Sequence, residues 1–171
     1  VPNIMKVIKP LFLDDLYEAF DKSIGNNKSL IKLADRLSKI KIFDPACGSG
    51  NFLIIAFKEL KRLEMEIFKE LNSFTFSQIT PSQFYGIEID DFAHEIAKLS
   101  LWLTEHQMNI EFFNEFERVN PTLPLKKAGN ITCANATRID WNEVCPKEQD
   151  DEIYVLGNPP YLGSRNQEKL H

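Results

Sequence analysis

The sequence predicts an α/β domain built on a parallel sheet of about four strands. Three observations carry this. Short apolar stretches alternate along the chain with longer stretches of helical periodicity. The short stretches are continuously apolar rather than alternating, as strands buried on both faces are. Each also ends in a turn rich in Gly, Pro, Asn or Asp.

Taken in order, residues 3–39 read as two helices separated by Ile24-Gly25-Asn26-Asn27. Leu13, Leu16, Tyr17 and Phe20 hold helical spacing in the first, and Leu30, Ile31, Leu33, Ala34 and Leu37 in the second. Lys41-Ile42-Phe43 is a strand ending at Asp44-Pro45, and Gly48-Ser49-Gly50 turns the chain into a long helix over 51–71. A second strand, 83–89, follows the Pro81-Ser82 turn. Asp90 or Asp91 caps a helix from Phe92 to about His106, with a helical continuation into 107–128 before a loop holding Pro121 and Pro124. Residues 130–133 and 153–156 complete the strands. The organisation is a helical lead-in, 1–39, followed by an α/β unit, 40–171.

The bulk properties exclude several classes. At 171 residues the chain is long enough for a real core, and 43% hydrophobic with 26% charged residues is ordinary for a globular protein. No apolar run approaches the roughly eighteen residues of a membrane span. Cys47, Cys133 and Cys145 are odd in number and never in a C-x-x-C pair, which argues against a disulfide framework or zinc site and for a reducing cytoplasm. The net charge of −5 is unlike that of a stand-alone nucleic-acid binder, whose affinity comes largely from neutralising phosphates.

Ligands of parallel α/β sheets lie outside the carboxyl ends of the strands, so those ends hold the candidate chemistry. The first ends in Asp44-Pro45-Ala46-Cys47-Gly48-Ser49-Gly50-Asn51. Its glycines either make a tight βα turn or bring backbone amides close to a ligand. It is neither a Walker loop nor a complete G-x-G-x-x-G, and Asp44 before the glycines repels a pyrophosphate but attracts a cation. The second ends at Glu88-Ile89, where an acid can accept from two ribose hydroxyls or simply face water. Asn135-Ala136-Thr137 after the third is a plain turn or an adenine contact. The fourth ends in Asn158-Pro159-Pro160-Tyr161. The prolines end the ladder and free neighbouring carbonyls, so the Asn158 side chain and the Pro159 carbonyl can accept both hydrogens of one amino group. Tyr161 can stack on the plane that carries it.

Three segments in this order, DPACGSGNF (44–52), GIEID (86–90) and GNPPY (157–161), resemble class I S-adenosylmethionine-dependent DNA methyltransferases acting on the N6 amino group of adenine. NIMKVIKPLFLDDLYEAF, FYGIEIDDFAHEIAKLSLWL and LGNPPYLGSRNQ are similar to the methyltransferase part of fused type II, MmeI-like (type IIL) restriction–modification enzymes, and the likeness spans nearly the whole chain. It implies a Rossmann-like class I methyltransferase fold with helices on both faces of a partial sheet. It implies that Asp44, Pro45, Ala46, Cys47, Gly48, Gly50 and Asn51 cradle the methionine part of S-adenosylmethionine. Glu88 would bind its ribose, Ile89 pack on its adenine, and Asn135 and Ala136 meet the adenine edge. Asn158, Pro159, Pro160 and Tyr161 would hold a flipped target base.

The resemblance also implies duplex DNA as partner, with a nuclease and a target recognition domain fused or in separate subunits, and no membrane. The aromatic-Thr segment that such enzymes carry before the lead-in, and the strands and recognition domain that follow Asn-Pro-Pro-Tyr, find no counterpart in the 171 residues. The chain therefore reads as a piece of a larger protein, weakly active or inactive alone. Two rivals remain: a methyltransferase acting on RNA or on protein glutamine, whose amide suits the same acceptors, and a non-catalytic remnant serving as an interaction module. A nicotinamide dehydrogenase fits poorly, because the glycine pattern is incomplete.

Overall fold

The computed structural model describes residues 2–72, 76–118 and 129–159. The predicted lead-in is one composite helix followed by a second. The first comprises α1 (Pro2–Ile8), a π-helical turn (Lys9–Leu13) and α2 (Asp14–Ser23); α3 (Asn27–Ser38) follows. Pro10 explains the π turn. It has no N–H to give to the carbonyl four residues back, so the helix widens by one residue and the Asp14 N–H donates to the Lys9 carbonyl five residues earlier. Asn26 caps α3 by accepting from the Ser29 N–H at 3.1 Å.

The strands are β1 (Ile40–Asp44), β2 (Phe84–Glu88), β3 (Asn130–Cys133) and β4 (Glu152–Val155), all parallel in the order β3-β2-β1-β4. Each lies within a residue of its predicted place. Because β4 pairs on the far side of β1 from β2, the carboxyl ends of β1 and β4 flank the point where the strand order reverses.

The helix α4 (Asn51–Leu71) runs as predicted, from Gly50 in a left-handed conformation to Asn72 in another. Its partner α5 (Asp91–Phe116) is longer than its first readable stretch, a single 26-residue helix capped by Asp90, which accepts from the Ala93 N–H at 2.7 Å. A one-turn helix, α6 (Trp141–Val144), precedes β4.

Alternation along β1 sorts the core. Ile40 and Ile42 join the cluster that α1 to α5 bury, with Phe12, Leu37, Phe57 and Phe84. Phe43 joins the other face, with Tyr85, Ile87, Val144 and Cys145 beneath α6. Asp44 continues the parity of Ile40 and Ile42, so its carboxyl faces the lead-in side, 1% exposed. Gln83 ties the layers together: its amide donates to the carbonyls of Leu37, Ser38 and Ile40 (3.0, 3.2 and 2.9 Å), pinning the α3–β1 turn to the start of β2.

Candidate active site

The site grows from the first strand end. Asp44 Oδ1 accepts from the Ala46 N–H at 3.0 Å, which bends the chain out of β1 into the glycine turn. Cys47 N–H then donates to the Ile87 carbonyl (3.0 Å) and Gly50 N–H to the Cys47 carbonyl (2.8 Å), docking the turn on β2. Gly48 and Gly50 both have positive φ, 54° and 81°, which a side chain would strain.

Glu88 at the end of β2 braces this turn. Its Oε2 accepts from the Gly48 N–H at 2.8 Å and its Oε1 from the Asp90 N–H at 2.9 Å. A carboxylate has about four acceptor positions, so each oxygen keeps capacity for a further donor. Glu88 thus holds the turn's shape while remaining able to receive hydroxyls.

Asp44 is the electrostatic centre. Burial is the main cause that lifts its pKa, to about 6, and the nearby charge of Glu88 adds to it against the opposing Ala46 hydrogen bond. Among the described residues no cation pairs with Asp44. The chain after β4 approaches it closely: a Cβ on Gly157 would lie 2.4 Å from Asp44 Oδ1, so only glycine fits there. Burial likewise pushes the Cys47 thiol up to about 12, helped by the charges of Asp44 and Glu88. Both causes favour the neutral thiol at Cys47, which is 6% exposed.

Two lobes open on this ridge. One, of about 580 Å³, is bounded by Asn3 and Ile4 of α1, the Ala46-to-Asn51 turn, Phe52 and Asn158. The other, of about 600 Å³, is bounded by the lead-in helix, Pro45, the end of β4 and Pro159. Val7, Asp44, Ala46 and Gly157 belong to both. The structure therefore gathers Asp44, Pro45, Ala46, Cys47, Gly48, Asn51, Asn158 and Pro159 around one cleft at the reversal point of the sheet, with Gly50 closing the turn behind.

The remaining sequence candidates lie along the same rim. Ile89 is 67% exposed just beyond Glu88, and Ala134 N–H donates to the Glu88 carbonyl, so Asn135 and Ala136 follow beside it. They lie outside the lining of both lobes. The Asn135 side-chain oxygen is occupied by its own turn, accepting from Thr137 N–H (3.0 Å) and Thr137 Oγ1 (2.8 Å). The Ala136 carbonyl accepts from the Trp141 indole at 2.8 Å, and Trp141 packs edge-on to Phe43. Pro160 and Tyr161 fall outside the described residues.

Sequence reasoning did not single out the lead-in wall, Asn3, Ile4, Val7, Pro10 and Leu11. The available signal was Pro10 inside an otherwise helical pattern. His94 on α5 is largely buried, with Nε2 3.1 Å from the Ile131 carbonyl. Among the described residues no group of three or more His, Cys, Asp or Glu is placed to hold a metal ion, and no helix is long and apolar enough to cross a membrane.

The sheet order, the glycine turn under a buried carboxylate and the Asn-Pro step at the reversal point define the Rossmann-like class I methyltransferase fold. Comparison with known proteins narrows this further. The model of the MmeI DNA-methyltransferase domain matches residues 20–171, and the chain belongs to that family. The solved structure of the type IIL restriction–modification enzyme MmeI in complex with DNA superposes with a TM-score of 0.87 at 41% identity, covering 98% of this chain and 23% of that one. DNA methyltransferase A of Bacillus subtilis (strain 168) is 58% identical over 177 residues, covering all of this chain and 20% of the relative. A Methanocaldococcus jannaschii protein described as a type II restriction enzyme and methyltransferase is 38% identical over 133 residues, 71% of this chain and 10% of its own length. The chain thus spans about a fifth or less of the curated relatives it matches.

Proposed function

We propose that this chain is the cofactor-binding and amino-group-holding part of an S-adenosylmethionine-dependent methyltransferase acting on the N6 amino group of adenine in duplex DNA, within a restriction–modification enzyme. The observation that carries the reading is the juxtaposition of Asp44, Gly157 and Asn158 at the reversal point: a buried carboxylate with no cation partner among the described residues lies beside a step that ends in two amino-group acceptors.

The residues suit the cofactor. A buried carboxylate facing a cleft favours a positively charged ligand, and S-adenosylmethionine carries an ammonium and a sulfonium. Ala46-to-Asn51 would enclose its methionine part, Glu88 has acceptor capacity for its ribose, and exposed Ile89 offers an apolar surface to its adenine. S-adenosylmethionine supplies a methyl group on sulfur; as the new carbon–nitrogen bond forms, the electron pair of the broken bond stays on sulfur.

The protein's own task is to present the nitrogen. An adenine amino group is a poor nucleophile, because its lone pair is delocalised into the ring. The Asn158 side-chain oxygen and the Pro159 carbonyl accept its two N–H groups, which favours a more tetrahedral nitrogen with an available lone pair. Positioning of this kind is worth several kcal/mol. One amino proton then leaves to water, and no strong base beside Asn158 is required.

The acidic charge of −5 supports a division of labour in which the DNA-neutralising surface lies in other parts of the enzyme. In the full-length protein, Asn158→Ala is expected to abolish methyl transfer to duplex DNA while S-adenosylmethionine binds as in wild type. Normal methylation by this variant would end the proposal; activity on RNA or on glutamine peptides instead of DNA would move it to another substrate.

A further inference from the structure

The second lobe contains apolar surface that the core does not account for. Val7, Leu11 and Val155 are 41%, 39% and 49% exposed, and with Pro10, Pro45 and Pro159 they line a cleft of about 600 Å³. That volume is in the range of small-molecule sites, roughly 300–1,000 Å³. The lobe shares the Asp44–Gly157 ridge with the lobe of the glycine turn but reaches Pro159 rather than Asn158. An amino group held between the Asn158 side chain and the Pro159 carbonyl therefore sits at the border of the two lobes. The ring bearing it must extend away from the glycine turn.

The π turn is what shapes the far wall. Phe12 and Leu13 of that turn are buried, Phe12 packing on Tyr154 with ring centroids 5.0 Å apart and the planes tilted by 35°. With those two anchored in the core, the widened turn leaves Leu11 on the cleft side together with Val7 one turn before it. A regular helix, with one residue fewer in this turn, would rotate everything before it by about 100°. Pro10 both forces the widening and adds its own ring to the wall.

We propose that the π turn is a substrate gauge, in which Val7, Pro10 and above all Leu11 form the apolar wall that packs against the ring of the target base and limits its size. This rests on the function proposed above, and it adds a specificity-determining element from the lead-in helix.

The test uses the full-length protein with Leu11→Trp, which fills the lobe from a part-exposed position, and Leu11→Ala, which enlarges it. Three quantities are read: single-turnover methylation of duplex DNA, fluorescence of 2-aminopurine at the target position, and S-adenosylmethionine affinity. Leu11→Trp should slow methylation by at least about tenfold and suppress the 2-aminopurine signal, because small misplacements near reacting atoms cost that much or more. Its cofactor affinity should stay within about twofold of wild type. Leu11→Ala should improve methylation of a 2-methyladenine target relative to adenine by about tenfold, the scale of one methylene in an apolar pocket.

Wild-type rates in both variants would overturn the proposal. So would a cofactor affinity that falls in step with the rate, which would assign the lobe to the cofactor. A lowered melting temperature with unchanged base preference would assign the wall to packing against another part of the enzyme, and would also overturn it. Asn158→Ala, run alongside, separates the two claims. If it stays active, the amino-group clamp is wrong and the gauge, which takes its place from that clamp, falls with it; if it is dead while both Leu11 variants behave as wild type, the gauge alone is wrong.

Discussion

Replacing Gly157 by Ala inserts one methyl group at the centre of the site, and the structure sets what it meets. The new Cβ would lie 2.4 Å from Asp44 Oδ1 and 3.1 Å from its Cγ. Neither side has room to retreat. Asp44 is 1% exposed and its Oδ1 is bonded to the Ala46 N–H at 3.0 Å, while Leu156 N–H, just before Gly157, donates to the Phe43 carbonyl at 2.9 Å. Overpacking of this kind costs about 1–3 kcal/mol. For a domain of this size that lowers the melting temperature by roughly 2–12 °C. If Asp44 rotates away instead, it loses the Ala46 bond, about 1 kcal/mol, and no longer aims its carboxylate into the cleft.

Either outcome should weaken S-adenosylmethionine binding by about tenfold or more, equivalent to about 1.4 kcal/mol. The assay is paired calorimetry and thermal denaturation on the full-length protein. Gly25→Ala is the control, because Gly25 has a φ of 79° but nothing within 4 Å of an added Cβ, so it carries backbone strain alone. Cofactor affinity within about twofold of wild type for Gly157→Ala, with a melting temperature no lower than that of Gly25→Ala, would refute the reasoning.

Two further outcomes follow from buried charge. Burial raises the Asp44 pKa from 3.8 to about 6, so the folded state holds this proton more tightly than the unfolded chain. Without ligand, its contribution to stability is therefore greatest below about pH 4 and is lost as pH rises through about 6. A cationic ligand needs the carboxylate, so S-adenosylmethionine affinity should increase over the same interval; Asp44→Asn should flatten both profiles, as titration calorimetry and pH-dependent melting can show. Second, Glu64 and Lys61, 2% and 4% exposed, anchor the chain after α4: Glu64 accepts from the Gln78 and Ile79 N–H groups (2.7 and 3.3 Å) and Lys61 donates to Ser77 Oγ. Glu64→Leu strips a compensating charge from a buried ammonium and should cost about 3–5 kcal/mol, whereas Glu64→Leu with Lys61→Met should cost clearly less. Equal losses in a urea-denaturation series would contradict this.

Much of the fold was legible because local chemistry and tertiary packing agree. Helix α4 begins and ends where Gly50 and Asn72 take left-handed conformations, and the central strands β1 and β2 are largely apolar on both faces because helices and α6 cover them. The extent of α5 was harder to read. Ala97, Leu101, Met108 and Phe112 face the core, but Leu99, Leu103, Ile110 and Phe113 form a second, exposed stripe, so apolar periodicity does not mark one side. The strand-end motifs singled out Asp44, Glu88 and Asn158, which end or follow β1, β2 and β4 at the carboxyl edge of the sheet. They could not show that Asn135 spends its side-chain oxygen on Thr137, since that depends on a turn closed by the folded chain. Nor could they reveal the lead-in helix as a wall of the cleft, because only the folded chain brings residues 7–11 to the same cleft as residues 155–159.

The central claim is that this cleft delivers a methyl group to the exocyclic nitrogen of adenine in DNA. Its most direct measurement is nucleoside mass spectrometry of duplex DNA incubated with the full-length protein and isotopically labelled S-adenosylmethionine. The account predicts label in N6-methyladenine and nowhere else, lost in the Asn158→Ala variant. Label on cytosine, or DNA left unlabelled while RNA or protein takes up the methyl group, would contradict it.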